Sequence, residues 1–164
     1  IIALSEEFFK YLVIKIKVQN SPDLDEPLDI VLYMVVAALG FAALENILYL
    51  FAPASQISFN DLVSRTLLIT FIRFIGATFL HTLSSAVVGY SLVISFCFAK
   101  RGYLPVVLGI FMATLLHGLY NFSIMNLDGY AKFAIPAIII LTLAFLVFSG
   151  IEKIKKMKSV CKIN

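Results

Sequence analysis

The chain has 164 residues, of which 61% are hydrophobic and only 14% are charged, and its net charge is +3. A soluble domain carries about 25% charged residues, and its apolar runs rarely reach the roughly 20 residues that cross a bilayer. Several runs in this chain reach that length, which excludes a soluble globular fold and predicts an integral membrane protein. Its basic residues crowd the end of the chain rather than a folded face, so we expect no nucleic-acid partner.

Five helical segments follow one another along the chain and predict an all-α, polytopic transmembrane helix bundle, forming a single domain over residues 1–164. The apolar stretch 62–99 exceeds one span, so we expect a short interfacial helix before Arg73 and a long membrane helix after it. The chain begins inside a helical pattern at Ile1, from which we expect a longer protein with additional N-terminal spans. The segments are 1–18, 28–51, 62–99, 104–125 and 133–151, followed by a basic tail over 152–164.

The distribution of lysine and arginine predicts the orientation, because cytoplasmic loops carry the excess of basic residues. If the tail is cytoplasmic, the alternation of helix ends places Lys15, Lys17, Lys100 and Arg101 on the same side as the tail lysines. We therefore predict a multi-pass protein of the cell membrane, embedded in the lipid bilayer with its C-terminal tail in the cytoplasm.

Six ionisable residues lie inside segments apolar enough to cross a membrane, where a charged group costs at least a few kcal/mol. At about 1.5 Å of rise per helical residue, they converge on one depth in the extracytoplasmic half of the bilayer. Such residues persist mainly where they line a site or a pathway, so we predict that they share one site. The six are Glu6, Glu7, Glu45, Arg73, His81 and His117.

Two of the predicted helices carry glutamates with polar neighbours. Glu6, Glu7 and Lys10 share one helical face. They form either a charge cluster at a helix start, where the helix dipole favours carboxylates, or a general base for water with Lys10 orienting its neighbour. Glu45 and Asn46 lie among small residues that let helices approach closely, and Glu45 is either a structural hydrogen-bond partner or part of the site.

Two histidines repeat one spacing on separate helices, since His81 precedes Ser85 by four residues and His117 precedes Asn121 by four. Histidine and glutamate ligands with an open position make a catalytic zinc site, for which Glu45, His81 and His117 are the candidate ligands. The same groups can instead activate a water without a metal, with His117 and Asn121 donating hydrogen bonds to an oxyanion. The spacing leaves zinc and a metal-free mechanism open.

At these residues the chain resembles the PrsW family of intramembrane proteases, which are related to the type II CAAX prenyl endopeptidases and the bacterial immunity-type membrane proteins. The resemblance covers nearly the whole chain in the right order, and the segment around Glu45 is quite specific. Arg73 keeps an eight-residue distance to His81 and is preferred over Arg65 as the matching arginine. The matching segments are SEEFFK (5–10), LGFAALENILYL (39–50), 73–89 and LLHGLYNF (115–122).

The resemblance implies hydrolysis of a peptide bond within or near the membrane. The type member of the family cleaves a membrane-anchored anti-sigma factor on its outer side. By analogy, the paired glutamates, Glu45 and the two histidines form the active site. The CAAX relatives imply Glu6 or Glu7 as the base, and His117 with Asn121 as oxyanion donors. Members of the PrsW family have Asp where this chain has Asn121.

Two other classes of function compete with proteolysis. A proton-coupled transporter also buries glutamate and histidine, but transporters usually show repeated halves and broken helices, and neither is evident in this sequence. A non-catalytic membrane scaffold would keep the fold without the chemistry, whereas all the candidate site residues are present. We therefore expect an intramembrane endopeptidase that acts on a single-span membrane protein.

Overall fold

A computed structural model of the protein describes residues 1–19, 21, 22, 24–50, 59–98 and 102–157, with residues 50 and 59–74 described by their backbone alone. Within these residues the chain forms five α-helices and no β-strand, as the sequence predicted. The helices are α1 (Ile2–Val13), α2 (Pro27–Leu50), α3 (Phe59–Cys97), α4 (Tyr103–Asn126) and α5 (Ala131–Met157).

Four of these helices contain a stretch long and apolar enough to cross a membrane. The α1 helix has only 12 residues and continues into a π-helical segment, Ile14–Val18, so it is shorter than the roughly 20 residues of a full span. The prediction of a polytopic helical membrane protein with about five helical segments is confirmed. The four stretches are Pro27–Tyr49, Ile75–Cys97, Tyr103–Asn126 and Ala131–Met157.

The α3 helix lies at the centre of the bundle, where it contacts all four other helices. Most of its membrane stretch is buried, whereas a third or less of each of the other three stretches is buried. Glycine permits the close approach of its neighbours: a Cβ atom at Gly89 would lie 2.9 Å from the Cα of Val31 on α2. On α4, a Cβ atom at Gly109 would collide with the Ser91 side chain. Small residues at such crossings are typical of membrane helix packing.

Short connections make neighbouring helices antiparallel, so α2 and α4 begin on the side of the bundle where α3 and α5 end. We call this the tail side. A large apolar cluster fills the tail-side half of the bundle and includes Ile30, Met34, Val93 and Ile154. A smaller cluster packs α3, α4 and α5 together; its buried members are Leu80, Leu83, Tyr120, Ile139 and Leu143.

Two helix boundaries differ from the prediction. The expectation of a separate interfacial helix before Arg73 is wrong, because α3 is one helix of 39 residues from Phe59 to Cys97. No proline or glycine occurs between Phe59 and Ile75 to interrupt it. The α5 helix continues through Met157, so the first part of the predicted tail is helical. Residues 158–164, the rest of that tail, are outside the described residues.

Candidate active site

Four helices bring their polar side chains to one buried point. The α1 helix contributes Glu6, Glu7 and Lys10, and Lys10 shares a face with both glutamates because it follows Glu6 by four residues and Glu7 by three. The α2 helix contributes one carboxylate, while α3 and α4 each contribute a histidine. The two imidazole rings meet edge to face with their centroids 4.8 Å apart. The side chains that meet are Glu6, Glu7, Lys10, Glu45, His81, Ser84, Ser85 and His117.

Glu7 is the fully paired carboxylate of the site. Its Oε1 accepts hydrogen bonds from Lys10 Nζ at 2.8 Å, His117 Nδ1 at 2.9 Å and Ser84 Oγ at 3.0 Å. Its Oε2 accepts a fourth bond, from Ser85 Oγ at 3.1 Å. The residue is completely buried. With donors on both oxygens and no exposed surface, Glu7 is not placed to bind substrate or water.

The bond to Glu7 also determines which ring nitrogen of His117 carries a proton. Because an ionised carboxylate can only accept, His117 Nδ1 must carry the proton that it donates to Glu7. In the neutral ring, Nε2 then presents a lone pair, and this atom lies 3.5 Å from Glu6 Oε2. His117 can therefore donate from Nε2 to an oxyanion only when the ring is protonated.

Lys10 joins α1 to α3 through two short hydrogen bonds. Its Nζ lies 2.8 Å from Glu7 Oε1 and 2.8 Å from His81 Nδ1, and the residue is only 1% exposed. The same ammonium lies 5.2 Å from the centroid of the Phe41 ring, within cation–π range. An ammonium can only donate, so His81 Nδ1 is the acceptor, and the proton of the neutral ring is on Nε2. That proton points to Glu45 Oε2, 2.9 Å away.

Glu6 differs from its neighbour because one of its oxygens has no hydrogen bond. Oε2 is buried and lies 3.5 Å from His117 Nε2 and 4.0 Å from His81 Nδ1, without a partner among the described residues. A buried carboxylate oxygen without a donor is costly, and such atoms usually mark a place for water or an ion. Glu6 is thus the carboxylate of the pair that can act on an incoming molecule.

The geometry around this oxygen fits a metal ion. Glu6, His81 and His117 each offer one atom, and the three atoms lie within 4.8 Å of one another. Ligand atoms bound to tetrahedral zinc at 2.0–2.2 Å are about 3.4 Å apart. The 3.5 Å between Glu6 Oε2 and His117 Nε2 matches this spacing, whereas His81 Nδ1, 4.0 Å from Glu6 Oε2, would have to move closer. The unpaired Glu6 oxygen and the lone pair of His117 Nε2 are ready ligands, whereas His81 Nδ1 would first have to lose its bond from Lys10.

The candidate ligand set differs from the sequence-based set in one residue. The sequence suggested Glu45, His81 and His117, but in the structure Glu6 takes the position expected for Glu45. Glu45 instead lies against the opposite nitrogen of the His81 ring. A carboxylate there orients the imidazole and raises its basicity, as is common for histidines that bind metals.

The remaining sequence candidates lie around this centre. Asn121 is one turn after His117 on α4 and is half-buried, but no hydrogen bond joins it to the other site residues that the structure describes. Asn46 follows Glu45 and has a buried Oδ1 without a partner in the described part of the chain. The side chain of Arg73 lies outside the described residues, so its place in the shared site stays a prediction.

Ser84 is a site residue that the sequence analysis did not select. It donates to Glu7 Oε1 at 3.0 Å and is completely buried. Helical spacing contained the signal, because Ser84 lies three residues after His81 and therefore on the same face as Ser85.

A family model described as the PrsW family intramembrane metalloprotease matches residues 1–150. The chain belongs to this family. Three curated relatives, all called Protease PrsW, come from Bacillus subtilis, Oceanobacillus iheyensis and Geobacillus kaustophilus. They are respectively 29%, 28% and 32% identical, over 94%, 85% and 75% of this chain. No solved structure matches.

The chain is shorter than these PrsW proteins. The matched regions cover 64%, 60% and 49% of the Bacillus subtilis, Oceanobacillus iheyensis and Geobacillus kaustophilus proteins. All the candidate site residues of this chain fall within the 1–150 match to the family model. The family match and the four apolar helices together make this a multi-pass membrane protein of the PrsW family.

Proposed function

We propose that this chain is the catalytic part of a membrane-embedded endopeptidase, which hydrolyses a peptide bond of a single-span membrane protein such as an anti-sigma factor. The proposal depends on one observation: the unpaired Oε2 of Glu6 faces a nitrogen of each histidine inside a helix bundle. A carboxylate with this surrounding is arranged to hold a water and remove its proton. Membership of the PrsW family supports proteolysis as the chemistry.

The site residues have separate roles in activating water: one carboxylate is the base, and two others orient the histidines. Glu6 Oε2 and His117 Nε2 are 3.5 Å apart, so a water beside the pair can donate one hydrogen bond to each and give the proton of its bond to Glu6 to that carboxylate. Glu7 orients His117 through the Nδ1 bond and leaves the base role to Glu6. Glu45 orients His81 in the same way from α2. Each histidine is thus held by its own carboxylate, as in sites where a fixed tautomer is needed.

We further propose zinc as the cofactor of this centre, held by Glu6 Oε2, His81 Nδ1 and His117 Nε2; in that form Glu6 would be a ligand, and its role as the base belongs to the metal-free form. Bound zinc would supply Lewis acidity to the scissile carbonyl and to the attacking water. Two arguments support it: the family is described as metalloproteases, and the Glu6 oxygen is an unused ligand. Metal binding would require a free lone pair on His81 Nδ1. The Lys10 ammonium would therefore have to give up its bond to His81 and keep its bond to Glu7.

Stabilisation of the oxyanion is assigned to Asn121. Its amide can donate in any protonation state, whereas the neutral His117 cannot donate from Nε2. It lies on α4 one turn beyond His117, towards the side opposite the tail. With a cytoplasmic tail, this position corresponds to cleavage near the extracytoplasmic side of the membrane.

The test is cleavage of a purified single-span substrate by the protein reconstituted in lipid vesicles. We expect Glu6→Gln to lower the cleavage rate by at least about 10²-fold, the scale of losing a general base. The matched control is Glu152→Gln, which changes an exposed glutamate on α5. This variant should cleave the substrate at the wild-type rate. Undiminished cleavage by Glu6→Gln would remove Glu6 from the mechanism, and no cleavage by the wild type would favour the transporter or scaffold alternatives.

Metal content is measured on the same sample. We expect about one zinc per chain, loss of cleavage on incubation with 1,10-phenanthroline, and recovery when zinc is restored. Cleavage that persists in a preparation with no bound metal would establish the metal-free form, in which Glu6 and His117 activate the water directly.

A further inference from the structure

A cavity of about 230 Å³ lies between α3, α4 and α5, where Val31 of α2 also lines it, and it shares no residue with the candidate active site. It is lined on α3 by Val87 and Tyr90, and on α4 by Met112 and Leu116. The α5 helix contributes residues near its end, including Val147, Gly150 and Lys153. None of the carboxylates or histidines of the candidate active site lines it, and α1 contributes no residue.

The position of the lining residues places the cavity in the tail-side half of the bundle. Val87 and Tyr90 follow Ser85 along α3 towards the end of that helix. On α5 the lining reaches Ile154, three residues before Met157. The cavity therefore extends from the depth of Leu116, next to His117, towards the membrane surface at which α5 ends.

The chemistry of the lining changes from one end to the other. Most of the lining side chains are aliphatic, whereas Lys153 at the surface end brings a positive charge. The stem of a lysine packs on apolar surface while its ammonium extends to the interface. Lys155 pairs with Glu152 at 3.2 Å, but Lys153 forms no ion pair among the described residues. Asp29 is an acidic residue on the same side of the bundle, but its carboxylate accepts a hydrogen bond from the backbone N–H of Glu26 and does not pair with Lys153.

We propose that this cavity binds an anionic phospholipid of the tail-side leaflet, with one acyl chain between α3, α4 and α5 and the phosphate at Lys153. An apolar cavity at hydrocarbon depth between membrane helices takes up lipid chains, while an unpaired lysine at its mouth selects an anionic headgroup. The acyl chain packs against Leu116 and Val87, which lie close in sequence to His117 and Ser85. Lipid binding therefore stabilises the helices that carry the candidate active site.

The test measures thermal unfolding of the detergent-purified protein while phosphatidylglycerol or phosphatidylcholine is added. We expect phosphatidylglycerol to raise the Tm by several degrees in a saturable manner, and phosphatidylcholine with the same acyl chains to have little effect. Lys153→Ala should abolish the difference between the two lipids. Lys156→Ala is the matched control, because Lys156 is exposed on the same helix but does not line the cavity, and it should keep the difference.

Two further Tm measurements distinguish the contribution of the acyl chain from that of the headgroup. Glycerol phosphate, which has the headgroup charge but no acyl chain, should leave the Tm unchanged. Val147→Phe, which fills part of the cavity, should abolish the response to phosphatidylglycerol, whereas the lipid-facing Leu141→Phe on α5 should keep it.

Three results would overturn the proposal. Equal effects of Lys153→Ala and Lys156→Ala would mean a general attraction of the basic helix end for anionic lipid. A full response to glycerol phosphate would mean a phosphate site without an acyl chain. An undiminished response in a folded Val147→Phe variant would place the lipid elsewhere on the protein.

Discussion

Glu6 and Glu7 are adjacent and chemically identical, but the helix turns them to different surroundings. A step of about 100° around α1 points Glu7 at Ser84, Ser85 and His117, and leaves an oxygen of Glu6 in the gap between the two histidines. A carboxylate with four donors stabilises the fold, whereas one with an unpaired oxygen is available for chemistry. Neighbouring residues of one type therefore carry separate roles.

This division predicts different effects of the same substitution on stability at the two positions. Glu7→Gln leaves the buried Lys10 without its counter-ion and should lower the free energy of unfolding by about 3–5 kcal/mol, the scale of breaking a buried ion pair. Glu6→Gln removes a buried charge from an oxygen without a hydrogen bond and should leave stability unchanged or slightly higher. Denaturant unfolding in mild detergent, followed by circular dichroism, compares the two variants. Equal destabilisation of both would contradict the assigned roles.

Lys10 competes with a metal for one atom, since its Nζ bonds to the His81 Nδ1 that zinc would use. Lys10→Met should destabilise the metal-free protein, because Glu7 loses its buried counter-ion, but it also leaves His81 Nδ1 open. We therefore expect a larger increase of the Tm on adding zinc than in the wild type. Thermal scans at matched zinc concentrations measure this difference, with Lys156→Met as the surface control. A smaller increase than in the wild type would show that Lys10 assists metal binding.

At the scale of the helices, the sequence predicted which segments are helical and which polar residues belong together. Runs of about 20 apolar residues define spans, and i, i+4 spacing pairs His81 with Ser85 and His117 with Asn121. The sequence could not predict that Glu45 meets His81 Nε2 while Glu6 lies nearer Nδ1. Such contacts depend on the rotation of each helix about its own axis, which is set by tertiary packing.

The crossing of α2 and α3 provides a test of that packing. A Cβ atom at Gly89 would lie 2.9 Å from the Cα of Val31, and a backbone atom inside a helix cannot move away alone. Gly89→Ala should therefore cost about 1–3 kcal/mol, the usual penalty for overpacking. At Gly40 on α2, nothing lies within 4 Å of the added Cβ, so Gly40→Ala should be neutral or slightly stabilising. Unfolding in detergent distinguishes them, and equal stability would mean that α2 and α3 are not in close contact at Gly89.

At the scale of the whole molecule, the site lies nearer one membrane surface than the other. His117 is about 14 Å from the end of α4 opposite the tail, and Glu45 is about 6 Å from the corresponding end of its span at Tyr49. His81 is about 9 Å beyond Ile75, where the apolar stretch of α3 begins. Each of these residues is farther from the tail-side end of its own span. The orientation of the bundle therefore decides which side of the membrane supplies the scissile bond.

The positive-inside rule predicts that the tail side is cytoplasmic, and two single-cysteine variants test this in a background without native cysteines. Asp128→Cys lies in the connection between α4 and α5, and Lys156→Cys lies near the end of α5; both positions are exposed. In intact cells, a membrane-impermeant maleimide should label position 128 and should label position 156 only after permeabilisation. The reverse pattern would place the Glu6 centre in the cytoplasmic half of the bilayer. In that case the peptide bond would have to enter from the cytoplasm, which is incompatible with cleavage of a substrate on its outer side.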